Sequence, residues 1–336
     1  MGDTKRHHYV PQFYQNYFLP GSGENQTFWV YDKEGGPPRP QTPINTAVEG
    51  HFYSLNVPKG VESDFLETKI FGPIEGEAKP ILDRWQLPGA RLEAAEVPKM
   101  AVFLAFMFTR NPRSVQVVKE VNEAGLEQIQ KDLVENPARQ RELYERCRNS
   151  GQVEGLPPYE EMEEYLNNRE KYFRTEMNRK AALLSSIELT DLVCQKLLEL
   201  NWCLCTAPSG TLFITSDSPL SVFCPTDRKH AIFGGGLGQP QVEVSFPISP
   251  TTYLLLNRRS GQRYRRISEK VANELNKRTA WMAERFIIST IKANAIEKLV
   301  RESSATRLIP KMDRAVIASR FKGLALKDQD KDTVTL

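Results

Sequence analysis

His7 and His8 are adjacent, and they are two of only four histidines in the chain. They stand just ahead of Pro11, a residue suited to the first turn of a helix, which the spacing extends to about Phe18. A helix N-terminus presents N–H groups and partial positive charge, a natural seat for a phosphate or carboxylate. The same field disfavours protonation of nearby imidazoles, leaving them neutral and able to bind a metal or accept a proton. Adjacent side chains point in different directions, so one metal ion takes both rings only if the backbone is irregular. The competing reading is local: one ring caps backbone and the other packs on Tyr9.

Carboxylates and cations elsewhere extend both readings. Asp217 follows an apolar strand, Leu212 to Thr215, where a catalytic acid or metal ligand is often placed; the alternative is an Asx turn ahead of Pro219. Glu67 falls in an apolar helical stretch. Glu75 falls near a helix start, where an acid is favourable for dipole reasons alone. Arg110 ends an apolar helix, where a guanidinium either complements the dipole or clamps an anion. The run Asn257 to Arg266 holds five arginines and Tyr264, chemistry that contacts phosphates and stacks a base, or a solvated loop.

One expectation is therefore an enzyme of the phosphodiester-hydrolase class, a metal-dependent nuclease. His7, His8, Glu67 and Asp217 would be its catalytic residues. His8, Glu67 and Asp217 would hold a divalent Mg, Mn or Zn ion. Gln12, Arg110, Arg263 and Arg265 would bind a nucleic acid or a phosphorylated small molecule. The alternative is a non-catalytic anion- or nucleic-acid-binding regulatory module using the same donors. A third possibility is structural, with His7 and His8 buried and pinning the N-terminal unit to the core. Convergence discriminates them, because catalysis needs a histidine and carboxylates around one shared point.

Composition narrows the class. The chain has 336 residues, 40% apolar and 26% charged, an ordinary globular balance. Its 45 Lys plus Arg against 42 Asp plus Glu leave +3, so any nucleic-acid site must be a local patch. The longest apolar run, Met100 to Phe108, is far short of the roughly 20 residues a membrane span needs. The polar opening residues lack a signal-peptide pattern, and the five cysteines read as reduced thiols, giving a cytoplasmic expectation. Gly234 to Gly238 lacks the phosphate-loop Lys and the dinucleotide spacing, so no nucleotide-cofactor motif is present. His51 and His230 have no partners at ligand spacing.

The elements that would position these groups read as α+β. Strands are expected at Phe28–Tyr31, His51–Leu55, Trp202–Thr206, Thr211–Thr215, Val242–Pro247, Thr252–Leu256 and Phe286–Thr290. Helices are expected at 64–71, broken by Gly72-Pro73, then at 74–85, 94–110 (the central buried one), 115–135, 159–200 and 267–285. The expected architecture is a predominantly helical core with a small β-sheet of N-terminal and C-terminal strands. It would form a single domain over 1–320, with a helical middle at about 90–200, a β-rich part at about 201–260 and a polar tail at 321–336.

The run His7-His8-Tyr9-Val10-Pro11-Gln12-Phe13-Tyr14 resembles the opening of a widespread microbial family classed as a domain of unknown function, whose next residue is usually Leu where this chain has Gln15. Further elements are similar: Phe52-Tyr53-Ser54, Leu66-Glu67, Ile74-Glu75, Arg110-Asn111-Pro112, Phe213 to Pro219, Phe246 to Pro250, and Asn276. The resemblance spans roughly residues 7 to 290. It implies an intracellular domain and carries over no agreed activity.

Overall fold

The computed structural model describes residues 6–21, 26–53, 65–151, 155–172, 175–224, 236–259, 261 and 263–305. Residues 54–55, 63–64, His230, Gly234-Gly235 and the polar tail, all singled out above, lie outside the described residues. In chain order the first elements are β1 (Arg6–His8), α1 (Gln12–Gln15), β2 (Phe28–Asp32), β3 (Arg39–Gln41) and β4 (Val48–Gly50). Helices follow: α2 (Gly72–Trp85), α3 (Val97–Thr109), α4 (Pro112–Glu135), α5 (Pro137–Ser150), α6 (Tyr159–Asn167), α7 (Arg169–Tyr172), α8 (Arg179–Glu188) and α9 (Thr190–Leu198). Next are β5 (Asn201–Thr206), β6 (Thr215–Ser216), β7 (Ser221–Phe223), β8 (Glu243–Pro247), β9 (Thr252–Asn257) and β10 (Tyr264–Arg266). The described chain ends with α10 (Glu269–Met282), β11 (Phe286–Ser289) and α11 (Asn294–Ala305).

The fold is α+β, as expected, but its sheets are not confined to N- and C-terminal strands. Among the described residues β1 pairs with β4, and a four-stranded sheet runs β3-β2-β11-β6. A five-stranded sheet runs β10-β5-β9-β8-β7, built wholly from residues 201–266. Its pairs are antiparallel except β10 with β5, which is parallel. Long-range pairing assembles this sheet, and apolar periodicity in one strand does not show its partner.

Among the described residues the chain divides into two compact units, 6–116 with 182–305, and 117–181. In the first, α3 is the central helix. Its Met100, Ala101, Phe103, Leu104, Ala105, Met107 and Phe108 are buried, and it packs against α2 and α9. In the second, α5 and α6 are joined by Tyr159, whose hydroxyl donates to Gln140 Oε1 at 3.1 Å while its ring meets Tyr144 edge-on. Asn136 caps α5, accepting the Arg139 N–H through its side chain, and Gly151 ends it at φ 63°. No helix among the described residues is long and apolar enough to cross a membrane.

Two local differences from the sequence reading have clear causes. The helix expected to break at Gly72-Pro73 does not break. A π-helical turn, Leu66–Phe71, runs directly into α2. The wider i→i+5 pattern, in which Gly72 N–H donates to the Glu67 carbonyl, leaves room for a proline that an ordinary turn would reject. A Cβ at Gly72 would meet that carbonyl oxygen at 3.3 Å. The strand expected at 51–55 lies earlier, at Val48–Gly50, because Ala47 and His51 adopt left-handed φ of 52° and 54° on either side of it.

Candidate functional site

On β1 the alternation of a strand sends the two histidines to opposite faces. His7 is fully buried, and its Nδ1 accepts the Tyr53 N–H at 2.8 Å. The neutral ring therefore carries its proton on Nε2. It stacks on Tyr53, centroids 5.4 Å apart and planes 21° apart. His8 is half-buried; its Nε2 donates to the Ile44 carbonyl at 3.2 Å, and Gln12 Nε2 donates to its Nδ1 at 3.2 Å. Burial holds the His8 pKa below the ordinary imidazole range, against the pull of the Ile44 carbonyl and with help from Arg6. Its neutrality thus comes from burial. The helix after it, Gln12–Gln15, runs on into a 3-10 turn, Asn16–Phe18, as far as the sequence spacing extends it, and remains too short to build a strong macrodipole.

A second layer lies behind Tyr53. Glu67, Phe71 and Glu75 follow one another at four-residue spacing, so they share a helix face. The Arg110 guanidinium sits over the Phe71 ring at 4.6 Å and donates from Nη2 to Glu75 Oε1 at 2.7 Å. Tyr53 packs edge-on against Phe71, and its hydroxyl reaches the Arg110 carbonyl at 3.4 Å. Burial opposes the charge of Arg110, but Tyr53, Glu75 and Glu67 more than offset it and raise its pKa. His7, Tyr53, Glu67, Glu75 and Arg110 therefore form one continuous aromatic and ionic cluster.

Asp217 is engaged elsewhere. It is buried, and its Oδ1 and Oδ2 accept the N–H groups of Glu284 and Arg285 at 2.9 and 2.7 Å. Burial raises its pKa to about 6, partly offset by those two N–H donors. The same turn is held by Arg113, which donates to the Met282 carbonyl at 2.9 Å, and by Lys33, which donates to the Ala280 and Ala283 carbonyls at 3.0 and 2.8 Å. These cations meet the C-terminal carbonyls of α10, where positive charge is favoured. Among the described residues no group of three His, Cys, Asp or Glu side chains is placed to hold a metal ion.

Arg263 and Arg265 lie on the β10 edge of the five-stranded sheet. Arg265 lines an open cleft of about 1180 Å³ between one face of that sheet and α10. The sheet supplies Asn201, Cys203, Glu243, Leu255 and Asn257, and the connection to β10 supplies Arg259. The helix supplies Lys270, Asn273, Glu274, Lys277 and Arg278. Arg278 is spoken for: it donates to Glu243 at 2.7 Å and lies over the Phe223 ring at 4.1 Å. Among the described residues no carboxylate is within ion-pair distance of Arg259, Arg265, Lys270 or Lys277. Cys203, on the cleft floor, has its thiol pKa lowered by a hydrogen bond from Cys205, against burial, and by nearby Arg265.

A family model described as a protein of unknown function, DUF4238, matches residues 6–293. The chain belongs to this family. No curated protein and no solved structure matches it. In this DUF4238 chain the scattered elements resembling the family meet in space. Tyr14 donates to the Pro247 carbonyl at 2.7 Å and shares a 2.6 Å hydrogen bond with Thr215. Gln15, the departure from Leu, is buried and donates to the carbonyls of Val10 and Thr46 at 2.8 and 3.1 Å. Asn276, one of those elements, is buried and bridges Leu212 O and Ile214 N at 2.9 and 3.1 Å. A chain segment lacking regular pairing has backbone groups to satisfy, and this carboxamide does it.

Sequence reasoning missed Lys270, Lys277, Asn201 and Asn257. One signal was present: Lys270, Asn273, Glu274, Lys277 and Arg278 recur at i, i+3, i+4, i+7 and i+8, a polar stripe on one helix face. The carboxamides gave none, because only strand register sets them side by side.

Proposed function

We propose that this DUF4238 protein is a non-catalytic regulatory module of the cytoplasm that binds phosphate-rich anions, with the α10 cleft as its site. The observation that carries this reading is the set of four cations, Arg259, Arg265, Lys270 and Lys277, around one open cleft with no carboxylate within ion-pair reach of them among the described residues. Ligand pockets ordinarily span roughly 300–1,000 Å³, so the cleft admits a phosphorylated small molecule or a nucleic-acid end. Arg265, on an edge strand, and Lys277, on a helix, approach from two sides, which is how a backbone-tracking site is built.

Titration of the full chain with inorganic tripolyphosphate and with a labelled eight-nucleotide DNA single strand tests it. Binding is expected to weaken steeply with salt, and Arg265→Ala or Lys277→Ala is expected to cost about five- to tenfold each, as for exposed charge-assisted contacts. Salt-independent affinity, or affinity unchanged in both variants, would sink the reading.

One observation favours a second, hydrolytic reading: His7, Tyr53, Glu67, Glu75 and Arg110 gather in one cluster. A carboxylate pair beside a fixed guanidinium is suited to phosphodiester chemistry with a divalent Mg, Mn or Zn ion. Strand cleavage that needs added Mn or Mg and is lost in Glu67→Gln would move the site from the cleft to this cluster.

A further inference from the structure

At one end of the cleft the strand register sets three polar side chains in a row. Asn201 of β5 lies opposite Asn257 of β9, and Asn257 lies opposite Glu243 of β8. Directly opposed side chains on one sheet face have Cβ atoms about 5 Å apart. The orientation of both carboxamides is fixed by the backbone of Arg259. Asn201 Nδ2 donates to its carbonyl at 3.0 Å, and Asn257 Oδ1 accepts its N–H at 2.9 Å. Each amide is therefore pinned by one end. Asn201 turns its acceptor Oδ1, and Asn257 its donor Nδ2, to the remaining space, and both residues line the cleft.

An acceptor beside a donor is the complement of a nucleobase edge, where a donor and an acceptor also stand side by side. The floor next to this pair is apolar: Cys203 and Leu255, opposed in register, with Val271 and Leu275 from α10. A flat ring has something to lie on there. Arg265 is the register partner of Cys205, four residues along β5 from Asn201. That is about 13 Å at ~3.3 Å per residue, the distance over which a nucleoside carries its phosphates.

We propose that the cleft recognises a nucleoside phosphate, with Asn201 Oδ1 and Asn257 Nδ2 on the base edge, the Cys203–Leu255 floor under the ring, and Arg265 and Lys270 on the phosphates. This rests on the phosphate-binding reading of the same cleft and adds the class of ligand. The ligand unit is one chemistry whether free or at the end of a strand.

The experiment compares the full chain's affinity for the four common nucleoside triphosphates with that for inorganic tripolyphosphate, which presents the phosphates without a base. At least one nucleotide is expected to bind about tenfold or more tightly than tripolyphosphate. The key variant is Asn257→Asp. It keeps Oδ1 to accept the Arg259 N–H, so the loop stays anchored, and it loses the donor. The added negative charge weakens all polyphosphates alike, so the readout is the ratio of nucleotide to tripolyphosphate affinity. That ratio is expected to fall to near one. An unchanged ratio in Asn257→Asp, or a ratio near one in the wild type, overturns the inference while leaving the anion site standing. Absence of tripolyphosphate and nucleotide binding overturns both. A parallel titration with the eight-nucleotide strand separates the two sources: a strand end binds the oligomer more tightly than the mononucleotide, a free nucleotide the reverse.

Discussion

Glu75→Ala is expected to destabilise the protein by about 2–3 kcal/mol, and adding Arg110→Met is expected to recover most of that loss. Arg110 is 2% exposed and carries a charge that it cannot shed by deprotonation. Its ion partner is Glu75 at 2.7 Å, and its Nε has no hydrogen-bond partner among the described residues. Removing the carboxylate strands a buried cation, a loss of about 3–5 kcal/mol in fully enclosed pairs. The Glu75 side chain is 27% exposed, so water softens the loss. Glu67, which also raises the Arg110 pKa, softens it further. Methionine at 110 keeps an unbranched chain against Phe71 and removes the stranded charge. Urea unfolding of wild type, both single variants and the double variant gives the coupling energy. A single-variant loss under ~0.5 kcal/mol would show that the pair is as weak as an exposed surface pair.

Asp217→Ala is expected to cost about 3 kcal/mol at pH 7, by leaving the buried N–H groups of Glu284 and Arg285 without an acceptor. The pH dependence has a definite sign. The folded-state pKa is about 6, against roughly 3.9 for an unperturbed aspartate. The folded protein thus holds this proton more tightly than the unfolded chain. The contribution is fully present below about pH 4 and is lost as pH rises through 6. Its span is roughly 3 kcal/mol. The stability gap between wild type and Asp217→Ala should therefore widen as pH falls from 7 towards 4. Unfolding curves for the two proteins at several pH values cancel the other carboxylates. A gap that narrows in that window would mean that hydrogen bonding to the carboxylate outweighs its burial.

Both expectations concern residues that the sequence marked as candidates and the structure engages in holding the fold. What was legible was local. The apolar run around Met100–Phe108 marked α3 because a buried helix needs apolar residues on every side. Short continuous apolar runs marked β9 and β11, and the adjacent side chains of His7 and His8 had to point in different directions. The seven-residue rhythm of α10 was visible too, but not what it faced. The structural roles of Tyr14, Lys33, Asp217 and Asn276 were illegible for one shared reason. Each bonds backbone or a side chain 62 to 250 residues away, and such bonds leave no periodic trace. The edge strands β1, β3, β4 and β10 are three residues each, too short to alternate recognisably. The cleft shares this origin: its walls come from β5, β8, β9 and α10, and only register makes neighbours of Asn201, Asn257 and Glu243.

The central claim is that the phosphate ligand sits in the α10 cleft. Photo-crosslinking of the full chain to an eight-nucleotide strand carrying a photoreactive base, followed by mapping of the modified peptides, tests it most directly. The account predicts attachment within residues 201–206 and 255–278, suppressed by excess tripolyphosphate and reduced in Arg265→Ala. Attachment confined to peptides carrying His7, Tyr53 or Arg110 would contradict it and place the ligand at the aromatic and ionic cluster instead.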